Sequence, residues 1–434
     1  MTEQQGAKRE VKDVFYLLAL QGLNYIAPLI VLPYLIVVLG AEKFGYIGFA
    51  MSVTQYLMLV VDFGFNLSAT KRVALAKSNP TELQRIFTST VYAKIGLLVV
   101  SFFILIAIAA VPRFEIYRET MFIMFLMVIA NAFSFVWLFQ GLSKIRVVSI
   151  VNMVAKLSIL PLTFVFVKSD ADFLSAAFIQ AFVYVFGAIV TLGIVIKEDM
   201  VRMIKVSFTD VMTEIKESYP VFLSSAATSI YTTSFIIVLG YFSTPQQVGQ
   251  YAAVEKIMRA LCYLGLAPIN QAFYPKISQL AVSNFQLAKT YMQRLMGVMA
   301  GLMFFVFIGM YFLSPYAIDI VVNVFGKTDY IGTQSLFQLM SFLPFVIGIG
   351  GIVAQLGILA MGNNSDKKVY QKVYVLAGAV ALCCIVIFIP LMYALGATIS
   401  LFITETFVLL LMLWFGRRFW MPEKYLAYIH QRGS

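Results

Sequence analysis

The sequence predicts an all-α integral membrane protein with about twelve transmembrane helices, in two six-helix lobes related by pseudo-two-fold symmetry around a central cavity. Three observations lead to this fold class: the composition, the recurrence of long apolar stretches and a weak internal repeat. Hydrophobic residues make up 61% of the 434 residues and charged residues 12%, against about 45–50% and about 25% in soluble domains. The chain is therefore expected to fold in lipid.

The predicted spans alternate with short polar loops that leave no room for a soluble domain. Each span is close to the length that crosses a hydrocarbon core, about 20 residues. The first six cover 14–39, 44–67, 86–111, 121–142, 148–167 and 173–196, and the second six cover 219–242, 248–274, 291–313, 331–361, 370–388 and 394–415. We therefore expect an N-terminal lobe (1–200), a cytoplasmic linker (201–218), a C-terminal lobe (219–416) and a cytoplasmic tail (417–434).

Basic residues indicate the orientation of the chain. With the N-terminus inside, the predicted cytoplasmic side carries 23 Lys and Arg, whereas the opposite loops carry five. Cytoplasmic loops of membrane proteins are enriched in Lys and Arg. An even number of spans with both termini in the cytoplasm is therefore predicted.

The composition argues against several other classes of protein. The net charge of +11 comes from basic residues at span ends, so no nucleic-acid partner is expected. Cys262, Cys383 and Cys384 lie inside apolar spans without metal-ligand spacing, and the only histidine, His430, lies in the tail. Neither a metal nor another cofactor is expected.

The two halves of the chain show a weak repeat. Residues 44–72 align with 248–276 without a gap, so that Gly45 meets Gly249 and Arg72 meets Lys276. Two six-span halves in the same orientation are a known transporter plan, with the substrate site between the halves near the bilayer midplane. The repeat thus favours transport over catalysis.

Seven ionisable residues lie more than one helical turn inside the predicted spans, where each costs about 2.5–3.5 kcal/mol and is by default a functional candidate. The basic members are Lys94, Lys156, Lys256 and Arg259, and the acidic members are Asp62, Glu255 and Glu405. We interpret the basic residues as an anion site and the acidic residues as groups that bind a coupling ion or balance charge.

Glu255, Lys256 and Arg259 share one arc of span 8, because residues three and four apart lie on the same helix face. Either Glu255 and Arg259 only neutralise each other, or the arc keeps surplus positive charge in a water-filled cavity. We favour the cavity, since Lys94 and Lys156 have no acidic residue at helical spacing in their own spans.

Lys94 and Lys156 lie about 12 Å from the cytoplasmic ends of their spans, at 1.5 Å per residue. Both could instead extend towards the headgroups. If they face the protein centre with Lys256 and Arg259, the site suits a multiply charged anion such as a pyrophosphate diester. For Asp62 and Glu405, the alternative to ion coupling is a structural ion pair with a buried cation.

Glycine and proline inside the spans mark candidate bends. The gate or hinge candidates are Gly22, Pro28, Pro33, Gly265 and Pro268. A moving gate in span 1 and a static kink are both compatible with this pattern. Gly297 and Gly301 have the spacing of small residues at a helix–helix contact.

Three runs carry a resemblance to a known family: VDFGFNLSAT at 61–70, WLFQG at 137–141 and PINQAFYPKIS at 268–278. They resemble Wzx-type O-antigen flippases, and the similarity extends over nearly the whole chain. The resemblance implies the polysaccharide transporter branch of the multidrug/oligosaccharidyl-lipid/polysaccharide exporter superfamily. No further pair of spans follows 394–415, unlike the fourteen-helix lipid II flippases of that superfamily.

The resemblance also implies a function. The expected cargo is an undecaprenyl-pyrophosphate-linked repeat unit, moved from the cytoplasmic to the periplasmic leaflet of the bacterial inner membrane by alternating access. Its polyprenyl tail would stay in the membrane lipid. H+ or Na+ would be the coupling ion of an antiporter, and a polysaccharide polymerase and a chain-length regulator would be partner proteins.

Two other functions are weighed against this one. A multidrug antiporter of the same superfamily should present acidic and aromatic groups to cationic drugs. The predicted spans here instead contain four deeply placed basic residues and three acidic ones. A membrane-embedded polysaccharide polymerase or glycosyltransferase needs a catalytic constellation on a substantial external loop, and the sequence has none. A transporter, not an enzyme, is expected.

Overall fold

In the computed structural model, which describes residues 3–421 and their side chains from Ile30 onward, the described chain is helical and contains no strand. The first seven helices are α1 Glu3–Asp62, α2 Phe65–Leu75, α3 Pro80–Ala109, α4 Arg118–Ala132, α5 Val136–Gly141, α6 Ile145–Phe166 and α7 Phe173–Lys197. The others are α8 Phe208–Phe242, α9 Pro245–Ser283, α10 Phe285–Asp319, α11 Gln334–Met340, α12 Leu343–Ile352, α13 Asn364–Phe415 and α14 Arg417–Trp420. The prediction of an all-α protein is confirmed.

Nine helical segments of the described chain are long and apolar enough to cross a membrane. Two helices on these segments contain a break: Gly40, with a φ of 72°, interrupts α1, and Tyr393, with a φ of 50°, interrupts α13. The charged helix α9 is not among the nine. The protein is thus a multi-pass membrane protein, while the count of twelve spans stays a prediction.

The chain divides into two compact units. Unit 1 comprises the described residues of Met1–Ser229 together with Thr244–Gly249, and unit 2 comprises those of Ile230–Ser243 and Gln250–Ser434. Both α8 and α9 therefore contribute residues to each unit. The lobe boundaries inferred from the sequence stay a prediction.

The runs at 61–70 and 137–141 form part of the buried core of unit 1. Phe65, Trp137 and Phe139 are fully buried in one cluster, and the ring of Phe87 lies 6.0 Å from that of Trp137. The Thr70 hydroxyl donates a hydrogen bond of 3.1 Å to the Trp137 carbonyl. These residues fix α2 and α5 against α3.

Unit 1 also contains a close contact between α1 and the first turn of α9. A Cβ atom added to Gly45 would overlap the Pro245 carbonyl, and one added to Gly249 would overlap the Ala41 carbonyl. Ala41 and Gly45 are small residues four apart on α1, the spacing found at close helix crossings in membranes, and Gly249 is the small residue opposite them on α9. Only glycine fits at 45 and 249.

The start of α8 is attached to α2 and α3 by ion pairs within unit 1. Arg72 Nη1 lies 2.7 Å from Glu214 Oε1, and Arg85 Nη1 lies 2.7 Å from Asp210 Oδ1. Glu214 is only 3% exposed. Residues 208–218 are therefore held against α2 and α3 by ion pairs.

We expect Arg72→Met to destabilise the protein by about 3–5 kcal/mol, because it leaves the Glu214 carboxylate buried without its principal partner. The unfolding midpoint of the protein in detergent measures this loss. Arg72→Met combined with Glu214→Gln should recover most of it, since no buried carboxylate is then left unpaired. A single variant as stable as the wild type would contradict this account of the contact.

Candidate functional site

Unit 1 contains a polar cavity of about 310 Å³. Its lining comes from α1 to α7 and includes Asn66, Lys94, Asn131, Asn152, Lys156 and Tyr184. No Asp or Glu belongs to this lining in the described part of the chain. The cavity is therefore positive and rich in hydrogen-bonding groups.

The cavity lies where two helices of unit 1 are interrupted. Between α1 and α2, Phe63 and Gly64 have φ values of 43° and 84°, and between α4 and α5 the chain leaves the helix at 133–135. Non-helical backbone at membrane depth is tolerated only where it is buried in protein or lines a water-filled cavity. Asn66 and Asn131, which lie beside these breaks, line the cavity.

Lys94 is already engaged inside unit 1. Its side chain is 1% exposed, and its Nζ donates a hydrogen bond of 2.9 Å to the Asn131 carbonyl and lies 4.0 Å from Asp62 Oδ1. The amide of Asn66 donates a hydrogen bond of 2.7 Å to the same Asp62 oxygen. The ammonium group of Lys94 is thus buried in the protein, and its charge is balanced by the Asp62 carboxylate on another helix.

Lys156 is in a different situation. It makes no hydrogen bond or ion pair with any other residue that the structure describes, although it lines the same cavity. Val148, Asn152 and Lys156 are spaced four apart on α6, so they project from one face of that helix. Lys156 is therefore a cation available to a bound anion.

Sequence reasoning missed the neutral polar residues of this cavity, among them Asn131, Asn152 and Tyr184. A signal was present at Asn152, one turn from Lys156, and at Tyr184, which shares a face of α7 with Gly187 and Thr191. Asparagine and tyrosine also occur in ordinary contacts, so their position alone did not single them out.

The second charged group lies in unit 2. Arg259 Nε lies 2.8 Å from Glu255 Oε1, one helical turn away, as expected if the two residues neutralise each other. Glu255 and Glu405 are 7% and 8% exposed, and Arg259 acts electrostatically on both. Lys256 lies in the field of Glu255. Arg259 is thus a cation shared by two buried carboxylates.

The candidate hinges whose surroundings the structure describes lie within helices. Pro33 lies within α1 and Pro268 within α9, and a Cβ atom on Gly265 would lie 2.5 Å from Leu302 Cδ2. Gly22 and Pro28 lie outside the residues whose side chains the structure describes. The role of all five as hinges stays a prediction.

The structure thus brings Asp62, Lys94 and Lys156 together in unit 1, and Glu255, Lys256, Arg259 and Glu405 together in unit 2. Their assigned roles stay predictions. No group of three or more His, Cys, Asp and Glu that could hold a metal occurs in the described residues.

Comparisons with known proteins agree with this architecture. Residues 11–281 match the family described as "Polysaccharide biosynthesis protein". Over 412 residues, 94% of this chain and 96% of the relative, the sequence is 32% identical to a protein of Escherichia coli (strain K12) whose name describes it as an O-antigen transporter.

Two solved structures share the fold. The lipid II flippase MurJ in an inward closed conformation has a TM-score of 0.70, covering 91% of this chain and 86% of MurJ. An inward-facing multidrug resistance MATE family transporter of the MOP superfamily has a TM-score of 0.69, covering 92% and 94%. At 14% identity these likenesses show the fold alone. They confirm the predicted fold class.

Proposed function

Since the chain belongs to the polysaccharide biosynthesis protein family, we propose that it is a flippase for undecaprenyl-pyrophosphate-linked O-antigen or related repeat units. This membership confirms the family resemblance carried by the runs at 61–70, 137–141 and 268–278, all of which lie within the matched region. The 32% identical relative named as an O-antigen transporter supports the choice of cargo.

The proposed transport runs from the cytoplasmic to the periplasmic leaflet of the bacterial inner membrane by alternating access, with both chain termini in the cytoplasm. We assign the coupling of H+ or Na+, or the balancing of charge, to Asp62, Glu255 and Glu405. A polysaccharide polymerase and a chain-length regulator are the proposed protein partners.

One observation carries the proposal: Lys156 lines a polar cavity without a partner among the described residues. A pyrophosphate head group cannot enter hydrocarbon without a large desolvation cost. A lysine ammonium offers such an anion a point-charge contact. The polyprenyl tail needs no such contact, because lipid solvates it.

The same cavity argues against a multidrug antiporter. A cationic drug needs a carboxylate or an aromatic cage, but within the described residues no carboxylate lines this cavity. Asp62, beside it, is paired with Lys94, and Lys156 remains as a cation. Resistance to cationic drugs on overexpression, without any effect on surface polysaccharide, would favour the antiporter.

The test of the proposed function is restoration of surface polymer. The gene is deleted in a strain with a known surface polysaccharide, and the intact chain is returned on a plasmid. We expect the polymer to return and lipid-linked repeat units to stop accumulating in the cytoplasmic leaflet. A chain that is present in the membrane at its normal level and restores neither result would refute the proposal.

In the same strain, Lys156→Ala should lower the surface polymer by about tenfold or more, since a charge-assisted hydrogen bond contributes about 1.5–3 kcal/mol. Lys156→Arg should keep most of it, because the charge remains. Lys168→Ala, which removes an exposed lysine just beyond α6, is the matched control and should have no effect. Equal polymer levels in all three variants would remove Lys156 from the site.

A further inference from the structure

A buried lysine lies at the predicted cytoplasmic end of unit 2. Lys289 precedes the predicted span 291–313 and is only 5% exposed. Its ammonium group makes no hydrogen bond or ion pair with any residue that the structure describes. A buried charge is costly unless an opposite charge or hydrogen bonds compensate it. Lys289 therefore requires an anion that the described part of the chain does not supply.

The side chain of Lys289 lies on the face of α10 that contacts the short helix α14. Phe285 and Gln293, one turn before and one turn after it, share this face. The ring of Phe285 lies 6.2 Å from that of Phe419, and Gln293 Nε2 donates a hydrogen bond of 2.6 Å to the Trp420 carbonyl. Lys289 is thus placed at the junction of α10 and α14.

One guanidinium group of α14 is also available to a ligand. Arg417 Cζ lies 5.0 Å from the centre of the Trp414 ring, and Arg417 makes no hydrogen bond or ion pair within residues 30–421. A guanidinium over an aromatic ring keeps the N–H donors that suit a phosphate. Arg418, by contrast, is paired with Asp366. Lys289 and Arg417 are therefore two cations at one junction, neither of them paired with a carboxylate of the described chain.

The surroundings of these two cations are strongly basic. The segments 275–294, 362–372 and 415–421, which contact one another, contain eight basic residues and one acidic residue, Asp366. The predicted cytoplasmic end of unit 1 differs, because its acidic residues are ion-paired with Arg or Lys: Glu82, Glu198, Asp199, Asp210, Glu214 and Glu217. Unit 1 thus supplies counter-charges at this end, whereas the described residues of unit 2 supply one.

Exposed apolar side chains accompany the charges of unit 2. Trp414 is 63% exposed, and Val282 and Leu287, at the end of α9 and the start of α10, are 92% and 43% exposed. Tryptophan is enriched at the membrane interface, where Lys and Arg attract anionic lipids. A free phosphate would leave this apolar surface uncovered. A phospholipid would cover it with acyl chains while its phosphate reaches the cations.

We propose that unit 2 binds an anionic phospholipid at the junction of α10 and α14, with its phosphate on Lys289 and Arg417 and its acyl chains against Trp414. Basic residues that only orient a membrane protein need not be buried, so the burial of Lys289 distinguishes a binding site from a basic surface. The lipid supplies the counter-charge for the buried ammonium group and ties α10 to α14. The site is separate from the unit 1 cavity and does not depend on the identity of the cargo.

Lipid binding by the purified full-length protein tests this site. Delipidated protein in dodecyl maltoside is mixed with phosphatidylglycerol, phosphatidylethanolamine or inorganic phosphate. Native mass spectrometry measures bound lipid, and the unfolding temperature is recorded in parallel. We expect phosphatidylglycerol to bind about tenfold more tightly than phosphatidylethanolamine, whose own ammonium group competes with the protein for the phosphate. Only phosphatidylglycerol should raise the unfolding temperature. Inorganic phosphate that stabilises the protein equally would overturn the proposal in favour of a free-anion site.

Lys289→Met removes the ammonium group and keeps a long side chain. Without added lipid the variant should be at least as stable as the wild type, because it removes an uncompensated buried charge. It should bind phosphatidylglycerol about tenfold more weakly and lose most of the rise in unfolding temperature. Arg417→Gln should weaken lipid binding similarly. The matched control is Lys368→Met, which removes an exposed lysine of the same end and should behave as the wild type.

Two results with these variants would overturn the proposal. Lys289→Met that is less stable than the wild type without lipid would show that the ammonium group has a partner in the protein. Equal losses of lipid binding in Lys289→Met and Lys368→Met would show only a general attraction to the basic surface. Restoration of surface polymer tests the cargo and not this site, so the lipid site and the proposed function fail independently.

Discussion

Gly249→Val should prevent the protein from accumulating in the membrane, and Gly249→Ala should already lower its unfolding temperature strongly. A Cβ atom at this position would overlap the backbone carbonyl of Ala41, which no rotamer change can relieve. Overpacking inside a fold costs about 1–3 kcal/mol when side chains can yield. Here α1 and α9 must separate, so the loss should exceed that range.

Gly45→Ala should have a similar effect through the Pro245 carbonyl. The controls are Gly96→Ala and Gly193→Ala, where an added Cβ meets nothing within 4 Å. Fluorescence-detected size-exclusion chromatography after heating measures both the amount and the stability of each variant. Gly249→Ala as stable as these controls would show that the two helices are not closely packed.

Part of this contact was visible in the sequence and part was not. The internal repeat aligned Gly45 with Gly249, but alignment does not show that two residues touch. Gly297 and Gly301 have the same spacing of small residues, yet an added Cβ at either meets nothing within 4 Å of the described residues. Spacing identifies residues that permit close packing, and only the fold shows which helices use it.

The fold class could be predicted because lipid imposes a strong and local requirement, a long apolar helix at each crossing. The breaks in unit 1 differ in how far the sequence predicted them. The break at Gly40 lies at a glycine between the predicted spans 14–39 and 44–67. The interruption at 133–135 lies inside the predicted span 121–142, in the stretch Phe133-Ser134-Phe135, which has no glycine or proline. Phe135 and Trp137, at and just after this break, are buried in the core of unit 1.

The candidate site was predictable in its charges but not in its neutral groups. Lys94 and Lys156 stood out because a charge in an apolar span is rare. The pairing of Lys94 with Asp62 could not be read from helical spacing, because it joins two different helices. Asn131 and Asn152 are identified as candidate binding residues only by the cavity that they share with Lys156.

The largest electrostatic effect is expected at Arg259 in unit 2. Arg259 pairs with Glu255 at 2.8 Å and also acts on the buried Glu405. Arg259→Met therefore removes the guanidinium from two buried carboxylates, whereas Glu255→Gln leaves Arg259 with Glu405. Removing one partner of a buried ion pair costs about 3–5 kcal/mol, so Arg259→Met should unfold at a much lower temperature than Glu255→Gln.

The double variant Arg259→Met with Glu255→Gln should regain part of the stability, because it leaves one buried carboxylate, Glu405, without the guanidinium where the single variant leaves two. Its transport, measured at equal protein level in the membrane, then separates the two interpretations of the arc on α9. If Arg259 and Glu255 only neutralise each other, the double variant should restore surface polymer fully. If Arg259 binds the anionic head group or controls the protonation of Glu405, the double variant should be present in the membrane and inactive. An Arg259→Met single variant with wild-type stability would contradict both, because it would mean that neither carboxylate depends on the guanidinium.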